Sequence, residues 1–120
     1  MRIDRLDEQD RFITADGSSI REVAGLPSGN ASQQSLAEAT VPVGGETVEH
    51  YHRVAEEIYH FVRGTGRLRL GVDEADVGAG DTVVIAPGIR HKLWNSGPEP
   101  LVLLCCCAPP YSHGDTVLCE

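Results

Sequence analysis

The chain has 120 residues, the size of one ordinary domain, and 41% of them are hydrophobic, which is enough for a packed core. Its 18 acidic and 10 basic side chains give a net charge of -8, which disfavours binding to nucleic acid or to an anionic membrane surface. No apolar run approaches the roughly 18 residues that span a bilayer, and the charged N-terminus MRIDRLDEQD does not resemble a signal peptide. We therefore expect one cytoplasmic domain.

Short strands separated by glycine and proline turns dominate the predicted elements, whereas a helical period is nearly absent. Residues 4–12 predict at most one short helical turn. The predicted strands are, in chain order, 19–23, 34–41, 47–53, 57–63, 67–71, 75–77, 82–86, 91–96 and 101–107. Many short strands with such turns are typical of an antiparallel sandwich or barrel, so the fold class is all-β.

Three of these strands predict which faces are buried. Arginine and leucine alternate from residue 67 to 70, so one face of that strand is apolar and the other is exposed to solvent. Strands 82–86 and 101–107 are apolar on both faces and should be covered on both, by a partner subunit or by a second sheet. The consecutive cysteines 105–107 suit a strand filled with small apolar side chains better than a disulfide framework or a redox site.

His50 and His52 are the first candidates for chemistry, because positions i and i+2 of a strand point to the same face. Glu56 and Glu57 follow a tight turn and bring a carboxylate near the two imidazoles, while His91 opens another strand after a Pro-Gly turn. Histidine and carboxylate together suit a divalent transition metal. A lone histidine in a strand is more often structural, so the spacing of the whole set carries the interpretation.

That spacing resembles the first motif of the cupin superfamily, commonly written G-x5-H-x-H-x(3,4)-E-x6-G. The positions that fit it are Gly44, His50, His52, Glu57 and Gly64. Glu56 also satisfies the shorter spacing after the histidines, but the six-residue count then ends on Arg63 rather than on a glycine. Glu57 is therefore the preferred carboxylate.

The second cupin motif, G-x5-P-x-G-x2-H-x3-N, is also present with one departure. The positions that fit are Gly80, Gly88, His91 and Asn95. The motif's proline slot holds Ala86, but the adjacent Pro87 stiffens the same turn.

The resemblance implies a double-stranded β-helix, or jelly-roll barrel, around one metal ion, with a core at about residues 34–107. An N-terminal strand at 18–23 and a tail at 108–120 complete the single domain 1–120. The resemblance also implies that one Fe, Mn, Ni, Co or Zn ion is bound by His50, His52, Glu57 and His91. It implies a structural role for Asn95. Four protein ligands leave room on the ion for water, substrate or dioxygen.

Neighbouring side chains are interpreted from strand parity. Tyr59 shares the face of Glu57, so it either donates a hydrogen bond to a bound oxygen as a catalytic residue or packs the barrel wall. His60 and Trp94 face outwards, and the single tryptophan indicates a subunit contact. Arg90 either meets an anionic group at the barrel mouth or is solvated.

Two segments stay open at this stage. The alternation of strand 34–41 does not decide which face enters the pocket. The tail carries Tyr111, His113 and Asp115, which could cover the pocket mouth, hold the C-terminus down or join a dimer; its prolines exclude a central strand.

The function that follows is that of a metalloenzyme, an oxygenase or isomerase acting on a small molecule, in a homodimer. The alternative is a non-catalytic module that binds a metabolite or metal. The chain also looks like small bacterial cupins described as similar to mannose-6-phosphate isomerase. The acidic surface and few basic residues near the motifs argue against a phosphosugar.

Overall fold

Eleven strands form two antiparallel sheets that face each other as a jelly roll in the computed structural model, which describes all residues 1–120. The strands are β1 (Phe12–Ile13), β2 (Ser19–Ala24), β3 (Ser35–Val41), β4 (His50–His52), β5 (Glu56–Arg63), β6 (Thr65–Leu70), β7 (Asp73–Gly78), β8 (Thr82–Ile85), β9 (His91–Asn95), β10 (Leu101–Ala108) and β11 (Thr116–Leu118). Sheet A has the order β1-β2-β3-β10-β5-β8, and sheet B has the order β11-β4-β9-β6-β7. The all-β jelly roll predicted from the sequence is confirmed.

Two short 3-10 turns, Leu6–Glu8 and His113–Asp115, are the only helical elements. Neither has the length or the apolar character of a helix that crosses a membrane.

All nine predicted strands are present, and most of their ends differ by one or two residues. The largest difference is the strand predicted at 47–53, which is shortened to His50–His52. Strands β1 and β11 were missed, because β1 has two residues and β11 follows a proline-rich stretch. Pairing resumes beyond Pro109 and Pro110, where β11 joins the edge of sheet B beside β4.

The core lies between the sheets, where the inward positions of facing strands meet. Phe61, Leu93, Leu101 and Leu103 are almost fully buried there. Leu68 is also buried, whereas the arginines on either side of it stay partly exposed, as the alternation predicts.

Within this chain the second sheet covers strands 82–86 and 101–107 on one face only, and cover of the other face by a partner subunit stays a prediction. Val84 of β8 is 55% exposed and Val62, on the neighbouring β5, is 49% exposed. Both lie on the outer face of sheet A, while the second sheet covers only the inner face. Outward residues of β10 are partly exposed as well.

Candidate metal centre

Three strands bring together the four residues that the motifs group. His50 and His91 are register partners on adjacent strands of sheet B, and His52 lies one pleat further along β4. Glu57 reaches across from β5 of sheet A. All four side chains are buried, and one potential ligand atom from each lies within 4.8 Å of all the others. Two ligands at about 2.1 Å from one ion are separated by at most about 4.2 Å, so small side-chain shifts would close the set around a metal.

Backbone carbonyls fix the orientation of two of the imidazoles. His50 Nδ1 lies 2.7 Å from the Val48 carbonyl oxygen, and His91 Nδ1 lies 2.9 Å from the Ile89 carbonyl oxygen. Because a carbonyl oxygen only accepts, each Nδ1 must carry the proton. The Nε2 atom of each ring therefore presents a lone pair to the cluster, as in metal-ligating histidines.

Thr116 of β11 fixes the third imidazole. Its hydroxyl donates to the Ser112 carbonyl at 3.0 Å, so it accepts from His52 Nδ1 at 3.2 Å. His52 Nε2 then also presents a lone pair, and it lies 3.1 Å from Glu57 Oε1. Two acceptors at this distance repel each other unless a proton or a metal cation lies between them.

His91 Nε2 carries the clearest sign of a missing partner. Among side-chain nitrogens and oxygens that have essentially no exposed surface of their own, this atom alone makes no hydrogen bond, although Glu57 Oε1 lies 3.4 Å away. Buried polar atoms are almost always satisfied, so an orphan atom requires an explanation. A divalent cation that accepts the three imidazole lone pairs and binds the Glu57 carboxylate would explain the unpaired nitrogen. Imidazole and carboxylate ligands suit such an ion.

The electrostatics of the cluster favour an ionised carboxylate. Burial alone would raise the pKa of Glu57, but the close approach of the His52 and His91 rings lowers it to about 2. Burial also opposes a charged His52 ring, yet the Glu57 carboxylate raises the pKa of His52 above its usual value. Burial, aided by the neighbouring His91, lowers the pKa of His50.

The C-terminal tail closes one side of the cluster. The Asp115 carboxylate accepts from the backbone N–H groups of Val54 and Ala55 at 2.9 and 3.0 Å, which fixes the turn between β4 and β5. Tyr111 lines the cavity, with its ring 6.0 Å from that of His52. His113 is exposed and pairs only with the Tyr111 hydroxyl. The tail thus holds the turn between the ligand strands, and Tyr111 forms part of the cavity wall.

A cavity that is open at its mouth leads from the surface to the cluster. The face of β3 that the sequence left undecided is now assigned, because Ser35, Ala37, Ala39 and Val41 line this cavity. Cys105 and Cys107 of β10 line it too, and all four cysteines are free thiols.

Tyr59 and Cys107 are the neighbours of Glu57 with exchangeable protons. The Tyr59 side chain lines the cavity and has no hydrogen bond within the protein, and burial raises the pKa of its hydroxyl well above the usual value. The Cys107 thiol donates to Glu57 Oε2 at 3.1 Å. Burial, with the Glu57 charge, raises the pKa of this thiol, so both groups keep their protons near neutral pH.

The other residues singled out in the sequence lie outside the cluster. The Asn95 amide donates to two backbone carbonyls and accepts from one backbone N–H, so its role is structural. His60 is exposed on the outer face and pairs with a threonine hydroxyl, and Glu56 and Arg90 are exposed as well. Trp94 is half-buried beneath two cationic side chains of sheet B.

Three residues of the site were missed. Asp16, in the turn before β2, places Oδ2 3.7 Å from His50 Nε2. Glu22 of β2 lines the cavity, and Thr116 holds His52. No spacing links these residues to the two motifs. Only the Thr-Ala-Asp-Gly-Ser turn at 14–18 marks Asp16 as a residue with a defined local structure.

Comparisons with known proteins agree with this fold. The cupin domain model matches residues 37–107. An uncharacterized protein of Methanocaldococcus jannaschii is 47% identical over 109 residues, which cover 91% of this chain and 87% of that protein.

Two solved structures share the barrel. An uncharacterized protein with a double-stranded β-helix domain from Klebsiella pneumoniae has a TM-score of 0.78 and 23% identity, covering 100% of this chain and 98% of its own. Pac13 of Streptomyces, a nucleoside dehydratase, has a TM-score of 0.80 and 17% identity, and the match covers 100% of this chain and 92% of Pac13. At these identities the two structures bear on the fold alone.

Proposed function

This chain belongs to the cupin family, and from that premise we propose that it is a metal-dependent enzyme acting on a small molecule inside its barrel. The observation that carries the proposal is the convergence of three imidazole lone pairs and one carboxylate at the buried end of an open cavity. A divalent ion bound there would supply Lewis-acid, and with a redox-active metal also electron-transfer, chemistry to a substrate oxygen.

The ligands proposed for this ion are His50, His52, Glu57 and His91. Their chemistry admits Fe, Mn, Ni, Co or Zn, since imidazole and carboxylate suit each of these metals. Hydrogen bonds to Val48, Ile89 and Thr116 hold the three rings ready, so little reorganisation accompanies metal binding.

Tyr59 is the residue that we assign to the chemistry. Its hydroxyl stays protonated, faces the cavity and has no competing partner, so it can donate to an oxygen of the substrate. Its ring packs edge-on against His91 at 5.8 Å, which fixes its position beside the proposed metal. Leu93 and Leu103 line the same cavity and limit the access of water.

An oxygenase or an isomerase acting on a neutral substrate fits this site better than a phosphosugar isomerase does. None of the residues that line the cavity is a lysine or an arginine, so nothing there offers a cationic anchor for a phosphate. The likeness to mannose-6-phosphate isomerase therefore concerns the fold. In Streptomyces a barrel of this shape serves a nucleoside dehydratase, so related barrels support lyase chemistry as well.

A substrate panel tests the proposal. Protein reconstituted with Fe(II), Mn(II) or Zn(II) is incubated with catechols and thiols, and with keto acids as the anionic comparison, while oxygen uptake and products are followed. We expect turnover of at least one class and a loss of about 100-fold in Tyr59→Phe, in line with removal of a positioned proton donor. Saturable binding with no consumption of any compound would contradict catalysis and favour the non-catalytic binding module instead.

We also propose that the chain forms a homodimer through the outer face of sheet A. Val84 and its cross-strand neighbour Ile58, with Val62 further along β5, give this face an apolar character without a cover. A dimer mass by light scattering, reduced to a monomer mass in Val84→Glu, is the expected result. A monomer mass for the unaltered protein would overturn this proposal.

A further inference from the structure

The cavity has a second polar end, opposite the metal cluster. One row of inward side chains crosses sheet A in register, from Glu22 on β2 through Ala37 and Cys105 to Tyr59 on β5. Three strand spacings separate the two ends of this row, which is about 14 Å between backbones. The two middle side chains are small, so the row forms a trough with Tyr59 at one end and Glu22 at the other.

Glu22 is buried without a cation. It is 8% exposed, lines the cavity and forms no ion pair. Its only hydrogen bond comes from the Ser28 hydroxyl, which donates to Oε1 at 3.0 Å. A buried carboxylate with a single neutral partner is expensive, and Oε2 has acceptor capacity to spare.

Gly25 makes this position possible. A Cβ atom at residue 25 would lie 2.8 Å from Glu22 Oε1, so a larger residue would displace the carboxylate. The Glu22 carboxylate therefore occupies the space that a side chain at residue 25 would take.

The charge of the whole cavity restricts the occupant further. Asp16, Glu22 and Glu57 are the three carboxylates that line it, and none of its lining residues is a lysine or an arginine. A divalent ion at the cluster leaves a net charge of about -1 with neutral imidazoles, so an anionic occupant would be repelled.

We propose that Glu22 is the specificity residue of this site, and that it anchors a hydrogen-bond donor at the end of the substrate remote from the metal. The substrate class is a small molecule that is uncharged or singly cationic, with an oxygen at the cluster end and a hydroxyl or ammonium group at the Glu22 end. Compounds that carry a carboxylate or a phosphate group are excluded as substrates, because they are anions. This inference rests on the proposed function, because it takes the same cavity as the substrate site.

Three matched phenols test the inference. Tyramine, tyrosol and 4-hydroxyphenylacetate share one phenol and carry an ammonium, a hydroxyl and a carboxylate at the other end. Their dissociation constants are measured by calorimetry on metal-loaded protein at neutral pH. We expect saturable binding of tyramine and tyrosol, and binding of 4-hydroxyphenylacetate about tenfold weaker or absent.

Glu22→Gln should weaken tyramine binding about tenfold, leave tyrosol within about threefold and improve 4-hydroxyphenylacetate. Glu74→Gln, an exposed glutamate of β7, removes the same charge outside the cavity and should change none of the three. If Glu22→Gln does not fold, Ala37→Leu fills the trough from its middle and should abolish all three bindings with the metal retained.

The inference is supported if affinity falls in the order tyramine, tyrosol, 4-hydroxyphenylacetate and if Glu22→Gln abolishes this order. Equal binding of the carboxylate, an unchanged order in Glu22→Gln, or no saturable binding of any of the three would overturn it. Metal content is measured on the same samples. A full metal complement with the wrong ligand order contradicts the substrate class alone, whereas absence of metal contradicts the proposed function.

Discussion

The two ends of the barrel are built on the same strands and differ in what fills them. We call the end around Phe61 and Leu101 the filled end, and the end around Glu57, Cys105 and Cys107 the hollow end. β5 carries Phe61 at one end and Glu57 at the other, and β10 runs from Leu101 to Cys107 in the same way. Strand alternation decides only that a side chain points inwards, while its volume and polarity decide whether the space becomes core or site.

The largest expected effect is at the filled end. Phe61 is 0% exposed, so Phe61→Ala should lower the free energy of unfolding by about 3–5 kcal/mol through lost burial and a new cavity. Urea denaturation measures this change. Val72→Ala, at an exposed position in the turn between β6 and β7, serves as the control, with an expected change within about 0.5 kcal/mol. Equal losses in the two variants would mean that the filled end is not the core.

Metal removal tests the hollow end. A metal that binds only the folded chain adds about 2.7 kcal/mol of stability at a free concentration of 100 times its Kd. The melting temperature should therefore fall on treatment with a chelator and recover on adding Mn(II) or Zn(II). An unchanged melting temperature, or an equal response in His91→Ala, would contradict a metal at this end.

Thr116→Val sharpens the contrast, because it removes the hydroxyl that accepts from His52 Nδ1 and donates to the Ser112 carbonyl. Without this partner the ring can rotate or change tautomer, and metal affinity should fall about tenfold, or about 1.4 kcal/mol. Thr82→Val is a matched control, since the Thr82 hydroxyl pairs with the Nδ1 of His60 on the outer face. Competition with a metal-sensitive dye measures both affinities, and equal loss in both variants would refute the role of Thr116.

Metal affinity should also depend on pH through His52. Because the pKa of His52 is raised, this ring is protonated at a higher pH than an ordinary imidazole and must lose its proton to bind metal. His50, whose pKa is lowered by burial, is already neutral in that range. We expect affinity to fall by about tenfold per pH unit just below the pKa of His52. Affinity independent of pH from about 8 down to 5 would contradict this assignment.

The smallest effect is expected at Cys107. A serine hydroxyl can also donate to Glu57 Oε2, so Cys107→Ser should retain the metal and change stability by less than about 1.5 kcal/mol. Cys107→Val leaves that buried oxygen without a donor and should weaken metal binding. A larger loss for serine than for valine would show that apolar packing at this position matters more than donation to Glu57.

The sequence alone predicts the ligand cluster better than its surroundings. The strands follow from alternation and turn residues, and motif spacing groups the four residues that lie together. The inner face of β3 was undecided because small and polar residues alternate on both of its faces. Glu22 was not singled out, since only its register with Ala37 shows that it lies on the cavity face. Thr116 lay beyond two prolines, where pairing depends on how the tail returns to β4.

The central claim is that the hollow end holds one divalent metal through His50, His52, Glu57 and His91. Element-resolved metal analysis tests it most directly, on protein purified without nickel affinity or chelators. We predict about one ion per chain in the unaltered protein and in His60→Ala, and less than about a tenth of that in folded His91→Ala. Equal metal content in all three would contradict the claim.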